Sequence, residues 1–227
     1  AYTNTYNGYI QDNLVLWYDG YANTGSIRSM NTTTWRDLSG NNNDGEINGA
    51  TWDYEYLSFD GVNDWVRIKE MNYPNITMEV VYKKEESLNH TEYIISNIET
   101  GGYHISYAGT YGQMVTAYYI DNAYRDNFSN KEFQFNKINT VSSTYDGNDI
   151  KLYTDGTIDN ILSYPGEVKT TENNTLMALG VNPSGTSYNS NSFFIGNIYS
   201  VRVYNRALTE DEILHNYYYD IEKFNLD

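Results

Sequence analysis

Short apolar runs, broken at near-regular intervals by glycine turns, constrain this chain more than any other feature. NLVLWYDG (13–20) closes on Asp19-Gly20. Ser39-Gly40, Asp44-Gly45 and Asn48-Gly49 then follow within WRDLSGNNNDGEINGATW, and Asp60-Gly61 follows LSF (57–59). Glycine adopts positive φ without penalty, and Asp and Asn tolerate left-handed geometry, so each pair reads as a chain reversal. Between the turns lie DWVRIK, ITMEVVYKK (76–84), EYIISNI, GGYHISYAG, GQMVTAYYID, INTVSSTYDG, NDIKLYTDGTI (148–158), TLMALGV (175–181) and FFIGNIYSVRVY (193–204). Alternation puts Leu57 with Phe59 on one face, and Ile76 with Met78 and Val80 on another. About a dozen strands at roughly ten-residue spacing predict an all-β sandwich or barrel. Asp155-Gly156 predicts a two-residue hairpin turn.

One helix is expected, over 208–222. Thr209 with Glu212 three residues later makes a capping box, acidic residues crowd the first turn, and Ile213, Tyr217 and Ile221 form an apolar stripe. No linker, low-complexity segment or fixed repeat interrupts the pattern, so 1–227 reads as a single domain with an N-terminal extension over 1–12. The 25 Tyr and 3 Pro among 227 residues favour half-buried pleated surfaces. A net charge of −16 repels phosphate backbones and anionic lipid, which argues against nucleic acid and membrane surfaces as partners. The absence of cysteine excludes disulfides, thiolate metal sites and cysteine nucleophiles. No apolar run reaches the roughly 18 residues of a membrane helix. The opening AYTNTYNGYIQDN lacks the basic and apolar blocks of a signal peptide, which suggests a mature chain or an excised piece of a larger one.

LVLWYDG, WRDLSGNNNDGEINGATW, LSFDGVNDWV, VSSTYDGNDIKLYTDGTI and FFIGNIYSVRVYNRALTEDEI occur in that order over residues 13–218. This ordered set resembles the LamG-like, concanavalin A-like lectin/glucanase superfamily. The resemblance implies an antiparallel two-sheet jelly-roll sandwich with adjacent first and last strands and one short C-terminal helix. Its glucanase branch works with carboxylates at alternate positions of one strand, E-x-D-x-E, which this chain lacks. The nearest approaches are Asp53-Tyr54-Glu55 in a Gly-rich region and Glu210-Asp211-Glu212 at the helix start. His90, His104 and His215 are far apart, with no zinc-pair spacing, and neither G-x-S-x-G nor a P-loop occurs. The chain reads as a non-enzyme.

Many members of the superfamily carry calcium, and Asp37, Asn41, Asp44, Asp60 and Asp64 offer oxygens in tight turns, with Asn43 and Asn63 nearby. The competing reading is that these Asx residues satisfy their own backbone. Trp17 is expected in the core, and Trp35 and Trp52 against the turn region. Trp65 shares a face with Arg67 and Lys69, opposite Val66 and Ile68, and is expected to face solvent. Sugars stack on aromatic rings while polar groups take their hydroxyls. The richest zone for that is 103–128, where Tyr103, Tyr107, Tyr118, Tyr119, Tyr124 and Arg125 accompany His104, Ser106, Asp121, Asn122, Asp126 and Asn127. Trp65 and Tyr188 complete the expected carbohydrate face. The first expectation is a non-catalytic, lectin-like module acting extracellularly, at a cell surface or in phage receptor recognition. Its partner is a glycan, calcium is its one candidate cofactor, and its oligomeric state is open. A structural or protein-interaction domain of a virion or surface protein comes second, and a diverged glycoside hydrolase third.

Overall fold

The computed structural model describes residues 8–171, 175–184 and 187–226; residues 1–7 of the expected N-terminal extension lie outside them. Along the chain run β1 (Leu14–Asp19), β2 (Thr34–Trp35), β3 (Gly45–Asn48), β4 (Thr51–Asp53), β5 (Tyr56–Asp60) and β6 (Trp65–Arg67). Next come β7 (Ile76–Lys83), β8 (Thr91–Ser96), β9 (Tyr103–Ala108), β10 (Gln113–Ile120), β11 (Ala123–Phe128) and β12 (Ile138–Tyr145). Then follow β13 (Asp149–Thr154), β14 (Thr157–Ser163), β15 (Ala178–Leu179), β16 (Pro183–Ser184), β17 (Ser187–Tyr188), β18 (Ile195–Tyr204) and α1 (Glu210–Phe224).

Two antiparallel sheets pack face to face. The first has the order β14-β13-β12-β7-β18-β5-β4, with β1 also pairing with β18. First and last strands are therefore adjacent, Trp17 lying opposite Arg202. The second has the order β11-β10-β9-β8-β15-β6-β3-β2. Asp155 and Gly156 both have positive φ, the geometry of the expected two-residue hairpin. Asp121 and Asn122 also have positive φ (51° and 60°) and join β10 to β11, a hairpin that the sequence reading passed over because no glycine marks it.

The core fills the space between the sheets. Ile76, Met78, Val80, Leu152, Val201 and Val203 meet Val66, Ile68, Ile105, Met114 and Leu179, all buried. Each such side chain contributes about 1.5–3 kcal/mol. Polar cross-links also join the sheets: Ser143 Oγ on β12 lies 2.6 Å from Thr116 Oγ1 and 2.8 Å from the Tyr118 hydroxyl on β10. Trp35 is fully buried, stacked on Tyr18 at 5.1 Å with Trp52 edge-on at 5.0 Å, so both tryptophans pin the turn region as expected. Trp17 departs from expectation. It is half-buried outside the main core, against Tyr9 at 5.4 Å, because it lies on the outer face of β1.

That outer face is sealed by α1 and by residues 8–11. The capping box at Thr209 and Glu212 forms as read from the sequence. The buried stripe does not match: Ile213, Asn216, Asp220 and Phe224 point inward, while Tyr217 and Ile221 are only half-buried. Polar residues occupy the stripe because an arginine waits beneath it. Arg202 on β18, 1% exposed, donates to Glu79 on β7 at 2.9 Å and forks onto Asp220 at 3.0 and 2.7 Å. Asn216 donates to Glu79 at 2.7 Å, the Tyr9 hydroxyl donates to Asp220 at 2.7 Å, and the Tyr9 ring lies 3.9 Å from the guanidinium carbon.

Removing one partner of a buried, hydrogen-bonded charge cluster leaves the rest uncompensated. Arg202→Ala is expected to destabilise the fold by about 3–5 kcal/mol in urea unfolding. No measurable loss would mean that apolar contacts alone hold α1. A second expectation concerns acid. The Arg206 fork, with both contacts at 2.7 Å, and the Thr209 backbone N–H hold the Glu212 carboxyl down at about 2 against an ordinary 4.5. A depressed carboxyl stabilises the fold above its unfolded value, and that stability is lost as pH falls from 4.5 towards 2. Glu212→Gln should abolish this part of the acid-induced loss; an unchanged acid midpoint would refute it.

Candidate functional site

Strand alternation divides the Tyr-rich 103–128 zone between two environments. Tyr103, Ile105 and Tyr107 on β9, and Met114, Tyr118 and Ile120 on β10, point into the core. Tyr103, Tyr107 and Tyr118 are at most 2% exposed, so the expectation that they stack a ligand is corrected. Their hydroxyls reach inside the fold, Tyr103 to the Met71 carbonyl at 2.8 Å and Tyr118 to Ser143. Arg125 is corrected as well. It pairs in register with Tyr118, and its guanidinium carbon lies 4.0 Å from the Tyr164 ring centroid, on the core-side edge.

The alternate residues face outward. Ser106 lies between Tyr93 and Val115, and His104 beside Ala117, which lies opposite Asp126; Tyr119 lies opposite Tyr124. Tyr119 and Tyr124 meet edge-to-face at 4.8 Å and are half-buried, as is Tyr93. Ser106 and Ala117 are fully buried among these larger neighbours. Burial first, then the Asp126 carboxylate, raises the Tyr93 phenol. Tyr93 was not among the residues expected from sequence; its register against Ser106 is the signal, and only pairing reveals it.

The Tyr93 ring centroid lies 4.9 Å from that of His104, with the two rings tilted by 60°. His104 is 6% exposed, and burial pulls its imidazole down to about 3, so it is uncharged at neutral pH. His104 Nδ1 and Ser106 Oγ are buried without a hydrogen-bond partner. Trp17 Nε1, Arg125 Nε and the Tyr153 hydroxyl share that condition elsewhere, but here two such atoms sit two residues apart on one strand face. A buried polar atom without a partner costs about 1–3 kcal/mol.

Trp65 and Tyr188, far apart in sequence, come together with ring centroids 5.7 Å apart. Phe193 extends the group at 5.1 Å from Tyr188, over buried Ala178 and Val181. Val66 and Ile68 face the core, so Trp65 and Arg67 point outward from the second sheet. This aromatic group and the Tyr93–Tyr124 group therefore share one sheet face. Ser192, one residue before Phe193, joins the two groups, its carbonyl accepting from the Tyr93 N–H.

The five residues expected to hold calcium do not form one donor set. Asp37 accepts from the backbone N–H groups of Trp17, Ser39 and Asn43 and from the Ser39 hydroxyl, all within 3.0 Å, which engages both oxygens. Asp44 takes the Asp37 N–H and Arg36, and Asn41 donates to the Leu14 carbonyl. Asp60 caps its own turn at Val62 and Asn63, while Asp64 accepts from the Asp60 N–H. Among the described residues no three His, Asp or Glu side chains gather as a metal site. At the two sites weighed for catalysis, three carboxylates have partners of their own. Glu55 accepts from the Tyr21 hydroxyl, Asp53 from that of Tyr56, and Glu212 closes the capping box.

The sequence profile of the concanavalin A-like lectin/glucanases superfamily, Laminin_G_3, matches residues 60–214. The receptor binding domain of botulinum neurotoxin D superposes with a TM-score of 0.70 at 15% identity, covering 93% of this chain and 54% of that one. A botulinum neurotoxin serotype D ligand binding domain in complex with N-acetylneuraminic acid gives 0.70 at 16% identity, covering 93% and 52%. Trypanosoma rangeli sialidase in complex with sialic acid gives 0.64 at 16% identity, covering 90% and 32%. The chain thus spans about half of the toxin domains and a third of the sialidase, and at these identities the likeness is one of fold alone. No curated protein matches the sequence.

Ser106→Ala removes an unpartnered buried hydroxyl while keeping the shape of the strand. It is expected to stabilise the fold by about 1 kcal/mol, read as a higher urea midpoint with an unchanged slope. A destabilised variant would show that Ser106 Oγ is satisfied.

Proposed function

The chain belongs to the concanavalin A-like lectin/glucanase superfamily, and we propose that it is a non-catalytic carbohydrate-binding module that holds a glycan on the outer face of its second sheet. The observation that carries this reading is the pair of unpartnered polar atoms, His104 Nδ1 and Ser106 Oγ, beneath a ring of half-buried tyrosines. Tyr119 and Tyr124 offer rings to the C–H face of a sugar. Tyr93 swings off His104 as the ligand settles, and sugar hydroxyls replace the missing hydrogen-bond partners. Asp126 accepts from further hydroxyls, and Trp65 with Tyr188 provides a second stacking platform on the same face. A serotype D toxin domain of the same fold is described in complex with N-acetylneuraminic acid, which supports a jelly roll of this kind as a glycan platform. Recognition of a glycan at a cell surface or on a virion is the setting that fits such a module.

A hydrolytic reading draws on the sialidase likeness. Two-carboxylate hydrolysis needs a pair about 5–9.5 Å apart. Among the outward strand positions of β8–β11 that are described, Asp126 is the single carboxylate. The face therefore disfavours two-carboxylate hydrolysis, while cleavage by a tyrosine nucleophile, the sialidase exception to that rule, is decided by the assay for bond cleavage below.

Titration against a glycan panel tests the proposal. Tyr119→Ala and Tyr124→Ala should each weaken binding about fivefold, the loss of roughly 1 kcal/mol of stacking. Ser106→Ala should weaken it as well while the fold gains stability, and the core variant Tyr118→Phe should leave it unchanged. Unaltered affinity in all three face variants would sink the assignment, and release of reducing ends would replace it with catalysis.

A further inference from the structure

Resting on the carbohydrate-binding reading, we infer that the Tyr93–Tyr124 face selects sugars with uncharged rings and rejects sugar acids, sialic acid among them. The groups it can offer a ligand are two neutral polar atoms, tyrosine rings and hydroxyls, and one carboxylate, Asp126. A ligand carboxylate is held by charge-assisted bonds, above all by the arginine fork. None of the described outward positions on β8–β11 carries lysine or arginine. Arg125 is one residue from Asp126 and would be suited to the task, yet its guanidinium lies over Tyr164 on the other side of the sheet.

Two cations reach this sheet face outside β8–β11: Lys169, with its ammonium 5.6 Å from the Tyr119 ring centroid, and Arg67 on β6, three strands from His104 in the same row. Tyr119 is four residues along β10 from Val115, the partner of Ser106, and two from Ala117, the partner of His104. A sugar whose hydroxyls meet His104 and Ser106 would lie beside Ala117, whose other neighbour across the sheet is Asp126, so a ring carboxylate there meets a like charge. Like charges so placed repel, and desolvation strengthens the effect. The net charge of −16 adds a long-range field of the same sign. Uncharged hydroxyls, in contrast, donate to Asp126 and exchange hydrogen bonds with a neutral imidazole and a serine hydroxyl.

The test uses matched pairs: neutral oligosaccharides, the same chains capped with sialic acid, and the capped chains as their methyl esters, which keep the shape and remove the charge. Titration calorimetry at low and moderate salt reads the affinities. The expected result is a loss of about tenfold or more on capping, most of it recovered by the ester, with Asp126→Asn narrowing the gap. Equal or tighter binding of the sialylated chains overturns the charge selection and leaves the carbohydrate reading standing. A loss that the ester does not recover also overturns it, because bulk and not charge is then the cause. Failure of every chain to bind overturns both.

Discussion

The Arg202 cluster decides which surface of this molecule is free. A guanidinium in the middle of a sheet cannot stay dry without partners, because desolvating it costs several kcal/mol. Glu79, its cross-strand neighbour, supplies one, and α1 brings Asp220 for the bidentate contact. Asn216 and the Tyr9 hydroxyl satisfy the remaining carboxylate lone pairs. The helix and the segment before β1 are thereby fixed across the outer face of the first sheet, where Tyr199, Phe224 and Leu226 add apolar contact. With that face sealed and the inner faces packed together, the outer face of the second sheet is the broad surface left to meet a ligand. The choice of the proposed site thus follows from an ion cluster on the opposite side of the sandwich.

The tyrosines follow a similar logic of satisfaction. A buried phenol must find a hydrogen-bond partner, and most here do: Tyr18 reaches the Asn43 carbonyl, Tyr103 that of Met71, and Tyr145 those of Tyr164 and Gly166. Each bond ties a strand or loop to the core, so tyrosine serves as both apolar filling and strut. A second buried pair, Lys84 with Glu92, works alike between the sheets, where Glu92 also accepts the N–H groups of Leu88 and Ile195. Burial lowers the Lys84 ammonium, while Glu92 opposes that shift.

The same economy sets what could be read from the chain alone. Turn chemistry is local, so the strand series, the Asp155-Gly156 hairpin and the Thr209 capping box were legible. Alternation was legible too, but not its direction. In GGYHISYAG both sets hold plausible ligand residues, and composition favoured the tyrosines over His104 and Ser106. The pairing of β9 with β8 and β10 sends the tyrosines to the core, and pairing is a long-range property. Asp37 misled for a related reason. Its oxygens suit calcium by type, but four nearby donors claim them, and spacing does not reveal which donors the turn will present. Trp65 and Tyr188 were expected separately, and only the fold makes them neighbours.

His104 and Ser106 invert the rule that the tyrosines obey. A sequence that satisfies so many buried phenols has no chemical difficulty in satisfying two more groups; apolar residues at these positions would fit the strand and relieve about 1–3 kcal/mol each. Retained without partners, the two atoms resemble strain held in reserve at a working surface. Their position sharpens the point: they lie beside Tyr93, a tyrosine that is only half-buried, which pairs with Ser106 and meets the His104 ring. A ligand that lifts Tyr93 exchanges one ring's burial for hydrogen bonds that the free protein lacks. Binding energy at such a site comes less from new contact area than from relieving groups the fold leaves unsatisfied.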